Sequence, residues 1–175
     1  SNTVLRAVRR LQEVAGSDRG VEIFLEKRIP PGSGLGGGSA DAAAVLVVLN
    51  RWWGLNLPLP ALAEIAADVG SDVPFCLTGG TALVRGRGER VSPLPPLPAA
   101  RILLAKPPVA VATAEVYRCF RAEAAGRRPE TGKIIAAVKN GRIHQLPSAW
   151  GNLLEKVAFE LLPELAEAKK WLQNY

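Results

Sequence analysis

Residues 30–45 read PPGSGLGGGSADAAAV. A Pro-Pro pair leads into five glycines among residues 32–38, then one serine, then small apolar residues. Before it, Val21 to Ile29 (VEIFLEKRI) alternates apolar and polar side chains and predicts a strand that Pro30 ends. After it, the run to about Trp53 predicts an apolar helix, with Ser39 as its N-cap, Asp41 in its first turn and Gly54 as its stop. Glycine lets the backbone bend where other residues cannot and lets a ligand approach closely. A glycine turn entering a helix presents unpaired N–H groups at the positive end of the helix dipole. Strand, glycine loop, serine and helix in that order therefore point to a phosphate site in which the backbone is the ligand.

Two well-known phosphate loops fit badly. Gly32, Gly34 and Gly37 match G-x-G-x-x-G, but that dinucleotide motif expects an acidic residue about 20 positions on, after a second strand. No acidic residue lies between Asp41 and Glu64. Gly32, Gly37 and Ser39 nearly fit the Walker A pattern, yet its lysine position is Gly38 here, so the loop itself lacks a cation for the phosphates.

Elsewhere, Thr3–Ala15 predicts an amphipathic helix ended by Gly16, and Pro60–Val69 a short helix capped by Gly70. The stretch 71–94 reads as a loop, a strand, a Gly-Gly break and a hairpin turning at residues 86–88. PLPPLPAA, residues 93–100, is the candidate boundary, giving domains 1–98 and 99–175. Beyond it a strand is expected in RILLAKP (101–107), and helices at Thr113–Ala125, Gly132–Lys139 and Asn152–Gln173.

Apolar residues make up 48% of the 175, enough for a packed core. Two cysteines, Cys76 and Cys119, argue against a disulfide scaffold and fit a reducing cytoplasm. The single histidine, His144, cannot build a metal site alone. No apolar run approaches the ~18 residues that span a bilayer, so no membrane partner is expected. The net charge of +6 comes from scattered arginines rather than a basic block, which suits small anions better than nucleic acid.

IPPGSGLGGGSADAAAVLVVLN (29–50) resembles the second signature motif of the GHMP kinases, with Pro30, Gly34-Leu35-Gly36, Ser39 and Ala40 in register. GSDVPFCLTGGTALVRGRGE (70–89), KPPVAVATAEVY (106–117) and NLLEKVAFELLPEL (152–165) resemble the branch of that family acting in non-mevalonate isoprenoid synthesis. The resemblance covers essentially the whole chain. It implies an α+β GHMP kinase fold: a lobe like ribosomal protein S5 domain 2, then the start of a ferredoxin-like lobe. It implies a cytoplasmic enzyme, monomer or homodimer, that moves a phosphoryl group from ATP with Mg2+ to a hydroxyl of a cytidine-diphosphate methylerythritol.

The resemblance also implies residue roles. Pro30, Pro31, Gly32, Ser33, Gly34, Leu35, Gly36, Gly37, Gly38, Ser39 and Ala40 would form the ATP phosphate loop. Backbone N–H groups of residues 36–39 would meet the phosphates, and Ser39 would also reach magnesium. Asp72 would be the catalytic carboxylate, orienting the attacking hydroxyl and taking its proton; from sequence alone the favoured reading is a turn or N-cap aspartate beside Pro74. Asp41 would stand near the substrate and the phosphates, Lys27 near the adenine edge, and Thr113 in the nucleotide pocket. The bland readings are a helix-dipole aspartate, a solvated lysine and a helix cap. Trp52 and Trp53 are expected to pack, Cys76 to be buried, and Arg85, Arg87 and Arg90 to be solvated on a hairpin. The family's first motif, which carries a catalytic lysine, and its C-terminal glycine-serine loop are absent, as is any methionine. The chain is thus expected to be partial and inactive alone. The rival readings are a homoserine- or mevalonate-type kinase, a non-catalytic nucleotide-binding module, and a basic RNA-binding domain.

Overall fold

The computed structural model describes residues 2–108, 113–121 and 127–174. The chain forms two compact units, Ser1–Pro95 and Pro96–Tyr175.

In the first unit, α1 (Thr3–Ala15) forms where expected. Asn2 caps it through Val4 N–H, and Gly16 turns left-handed at φ 57° to end it. Its apolar stripe of Val4, Ala7, Val8 and Leu11 is buried. Helix α2 spans Gly37–Trp52 and buries Ala42, Ala43, Leu46 and Leu49. Helix α3 (Leu59–Val69) adds Leu62, Ile65, Ala66 and Val69. These stripes meet in one core with Trp53 and Val73. Arg10 ties α1 to α3, its Nε donating to Asp68 Oδ2 at 2.8 Å.

The segment 73–78, expected as loop and strand, is instead helix α4. Short apolar runs do not distinguish helix from strand, and Pro74 sits in the first turn, where its missing N–H costs nothing. The hairpin follows: β1 (Thr81–Arg85) pairs antiparallel with β2 (Arg90–Leu94), Thr81 opposite Leu94 and Arg85 opposite Arg90. Among the described residues this is the only sheet. The strand expected at Val21–Ile29 is absent. A strand takes its hydrogen bonds from a neighbour, and no described segment pairs with this one. Val21 and Ile23 pack against the core instead, while Phe24 is 87% exposed.

In the second unit, the strand expected at 101–107 is absent for the same reason, and Ile102, Leu103 and Leu104 are exposed. Helix α5 runs Thr113–Cys119; the end expected for it, 122–125, lies outside the described residues, as does 109–112 of the motif 106–117. Helix α6 spans Thr131–Lys139. A 3-10 turn at Ile143–Gln145 leads into the short α7, Leu146–Ala149. The single helix expected over 152–173 is two, α8 (Glu155–Leu161) and α9 (Pro163–Gln173). Pro163 lacks the N–H to continue α8 and opens α9 in its place.

Candidate functional site

The glycine loop is built from two kinds of glycine. Gly32, Gly34 and Gly36 take φ of 67°, 73° and 68°, so the left-handed backbone demands them. Gly37 and Gly38 are ordinary in φ and serve clearance. A Cβ on Gly37 would lie 3.1 Å from Ile29 Cβ and Cγ2, and one on Gly38 3.2 Å from Thr3 Oγ1. Thr3 Oγ1 donates to the Gly38 carbonyl at 2.9 Å, latching the start of α1 to the start of α2. Sequence reading did not single out Thr3; the contact spans 35 positions and leaves no local signal.

The helix begins three residues earlier than expected. Gly36, not Ser39, is the N-cap of α2. The Ser39 and Ala40 N–H groups donate to the Gly36 carbonyl at 3.0 and 2.9 Å, so Ser39 offers its hydroxyl rather than its N–H. The N–H groups of Gly36, Gly37 and Gly38 have no acceptor among the described residues. Three adjacent unspent donors at the start of a 16-residue helix make an anion site by elementary electrostatics. They line a cavity of about 170 Å³ with Pro30, Pro31, Gly32, Ser33, Gly34, Leu35 and Ser39, closed on other sides by Thr3, Lys27 and Ile29. Ala40 is exposed and outside that lining.

With the helix starting at Gly37, Asp41 is its fifth residue, beyond the first turn, and the dipole accounts for it less well than its partner does. It forms an ion pair with Lys27 Nζ across the base of the loop. A second cavity, about 310 Å³, lies between residues 21–24 and α2 and is walled mainly by Val45, Val48, Trp52 and Phe24. That surface is apolar and offers a phosphate nothing. Trp53 is in the core, whereas Trp52 is 68% exposed on this groove.

Asp72 stands exposed at the N-terminal end of α4. Its side chain caps nothing there and makes no hydrogen bond or ion pair among the described residues. A turn aspartate normally spends its carboxylate on a nearby N–H; this one is left available. One turn on, Cys76 is half-buried, and its thiol is pushed up, first by burial and then by the Asp72 charge. The hairpin turn braces this corner: a Cβ on Gly88 would lie 1.8 Å from the Ser71 carbonyl oxygen, so the backbones touch. Thr113 opens α5 in the second unit and is exposed. His144 is exposed, and no group of three His, Cys, Asp or Glu side chains among the described residues could hold a metal ion. No helix among them is long and apolar enough to cross a membrane.

The glycine loop on the start of α2 and the free carboxylate at the start of α4 stand in the same unit. Residues 2–80 match the family described as GHMP kinases N terminal domain. It is 47% identical over 173 residues to the 4-diphosphocytidyl-2-C-methyl-D-erythritol kinase of Pelotomaculum thermopropionicum, covering 99% of this chain and 60% of that one. The enzyme of that name from Bacillus subtilis is 40% identical over 174 residues, with the same coverage. A solved crystal structure of 4-(cytidine 5'-diphospho)-2C-methyl-D-erythritol kinase superposes with a TM-score of 0.73 at 40% identity, over 99% of this chain and 62% of that one. The fold is therefore the α+β GHMP kinase fold. The chain spans about 60% of the length of the curated relatives it matches.

Proposed function

We infer that the protein containing this chain is an ATP-dependent kinase that phosphorylates a hydroxyl of 4-diphosphocytidyl-2-C-methyl-D-erythritol, a step of non-mevalonate isoprenoid synthesis. The observation that carries this is the loop: three unspent N–H donors at a helix start, in a chain 40–47% identical throughout to kinases of that name. The first unit supplies the ATP-binding lobe and the second begins the C-terminal lobe.

ATP supplies the phosphoryl group. The protein's work is to hold it, hold the alcohol in line, and stabilise charge. Gly36, Gly37 and Gly38 hold the phosphates through their backbone N–H groups, Ser39 adds its hydroxyl, and the rest of residues 30–39 shapes the loop around them. Asp72 orients the acceptor hydroxyl and takes its proton as the oxygen attacks; its carboxylate is free to do so, and α4 and the hairpin turn fix its backbone. Mg2+ would be held on the protein side by the Ser39 hydroxyl and would supply positive charge against the phosphates. A soluble cytoplasmic enzyme, monomeric or homodimeric, accords with two free cysteines.

The test is ADP release by the gene-encoded protein, given MgATP with the cytidine-diphosphate alcohol, homoserine or mevalonate. Turnover with the cytidine compound alone is expected. Turnover with one of the others would keep the kinase and replace its substrate. ATP binding without turnover of any alcohol would leave a nucleotide-binding module.

A further inference from the structure

The Walker A lysine has no counterpart on this loop, because Gly38 occupies its position and Thr3 Oγ1 lies where a side chain would begin. A triphosphate held only by neutral N–H groups would lack a counter-charge from the loop. Lys27, three residues before Pro30, lines the same cavity and is the only charged residue among those that do. Its neighbour Arg28 pairs with Glu26, and both are more than three-quarters exposed. Lys27 is held differently. Its ammonium pairs with Asp41 on α2, and the two side chains are only 30% and 27% exposed. The pair joins the residues just before the loop to the helix just after it, 14 positions apart. An ammonium has three N–H donors, and Asp41 accepts the one hydrogen bond that Lys27 makes among the described residues.

We propose that Lys27 is the phosphate-contacting cation of this nucleotide site, and that Asp41 is a positioning residue that holds the ammonium at the cavity wall. The assignment rests on the phosphate-loop reading above. It moves Lys27 from the adenine edge to the phosphates, and gives Asp41, expected near the substrate and the phosphates, its contact through Lys27. A fixed ammonium loses little freedom when a phosphate arrives, and charge-assisted hydrogen bonds are the strong ones. Asp41 cancels part of the long-range charge but leaves the remaining donors for an acceptor at contact range. It stands outside the cavity lining itself, so it acts through the lysine.

The experiment titrates ADP and adenosine calorimetrically into the full-length protein and its variants Lys27→Met, Lys27→Arg and Asp41→Asn, with melting temperatures as a check on folding. Adenosine keeps the base and removes the phosphates. Lys27→Met is expected to weaken ADP by about tenfold or more and to leave adenosine within about twofold, as loss of one charge-assisted contact requires. Lys27→Arg should retain most of the affinity, and Asp41→Asn should weaken ADP by a smaller factor, again sparing adenosine. Parallel losses for ADP and adenosine in Lys27→Met would return Lys27 to the base or to the fold. Unchanged ADP affinity in that variant would overturn the assignment outright. Tighter ADP binding in Asp41→Asn would show that Asp41 opposes the site rather than serving it. If the unaltered protein bound adenosine but gained nothing from the phosphates of ADP, the phosphate-loop reading would fall, and this one with it.

Discussion

A single side chain in this protein is best understood by what it leaves unspent. Asp72 has every local means of capping α4 and does not do so. Its carboxylate nevertheless acts on its surroundings, since it helps raise the Cys76 thiol. Asp72→Asn separates the two effects. Loss of a positioned general base is expected to lower kcat by about 10²- to 10⁴-fold while ADP affinity stays nearly unchanged. Steady-state kinetics beside an ADP titration would show it, and unaltered kcat would remove Asp72 from the chemistry. The same variant deletes a negative charge near the thiol. The Cys76 pKa should then fall toward the ordinary cysteine value, with burial still holding it up. More thiolate at a given mildly alkaline pH means faster alkylation of Cys76 in the variant, which peptide mapping after a timed iodoacetamide pulse would detect.

Helix α2 shows which features of an element its own sequence contains. The apolar run announced the helix and Gly54 its end, and both stand close to where the pattern placed them. The start was misplaced because serine is the usual N-cap, whereas the left-handed Gly36 takes that position. The connection after α2 was invisible in sequence. Asn50, the one buried polar residue among those described, receives the Leu57 N–H at 2.9 Å and donates to the Leu57 carbonyl at 3.1 Å. Its own carbonyl accepts from Leu55 and Asn56, and Asn56 takes φ 51° to complete the turn. This one residue shapes the link from α2 to α3, and hence the angle at which α3 closes the core. Asn50→Ala leaves both Leu57 groups without their partner. The expected loss is about 1–3 kcal/mol of unfolding free energy, the usual cost of orphaned groups of this kind. Urea denaturation measures it; a change within error would mean water replaces the amide freely.

At the scale of the whole molecule, helices were legible and sheet was not, for one physical reason. A helix satisfies its hydrogen bonds within a dozen residues of its own sequence, so caps and periodicity reveal it. A strand depends on a partner that its own residues do not specify. The hairpin β1–β2 was readable because its partner is local. Val21–Ile29 and 101–107 carry strand patterns but have no partner among the described residues; Val21 and Ile23 lean on the core, while Phe24, Leu25, Ile29, Ile102, Leu103 and Leu104 are exposed. The glycine loop was readable for the same local reason as the helices, while Thr3 and the Lys27–Asp41 pair, joined across 35 and 14 positions, were not. The uneven distribution of core sets the order in which the chain opens. In the first unit thirteen residues from α1 to α4 form one buried cluster. In the second unit the buried apolar residues are Val116, Ala137, Val138, Leu146, Ala149 and Val157, most of them small. Local opening free energy follows buried apolar contact. Amide exchange followed by mass spectrometry should therefore find Leu46–Leu49 and Leu62–Ala66 slowest, α6 and α8 faster, and Val21–Leu25 and Ile102–Leu104 near the unprotected rate. Protection of Val21–Leu25 or Ile102–Leu104 as strong as that of α2 would mean that these strand patterns have found partners in solution.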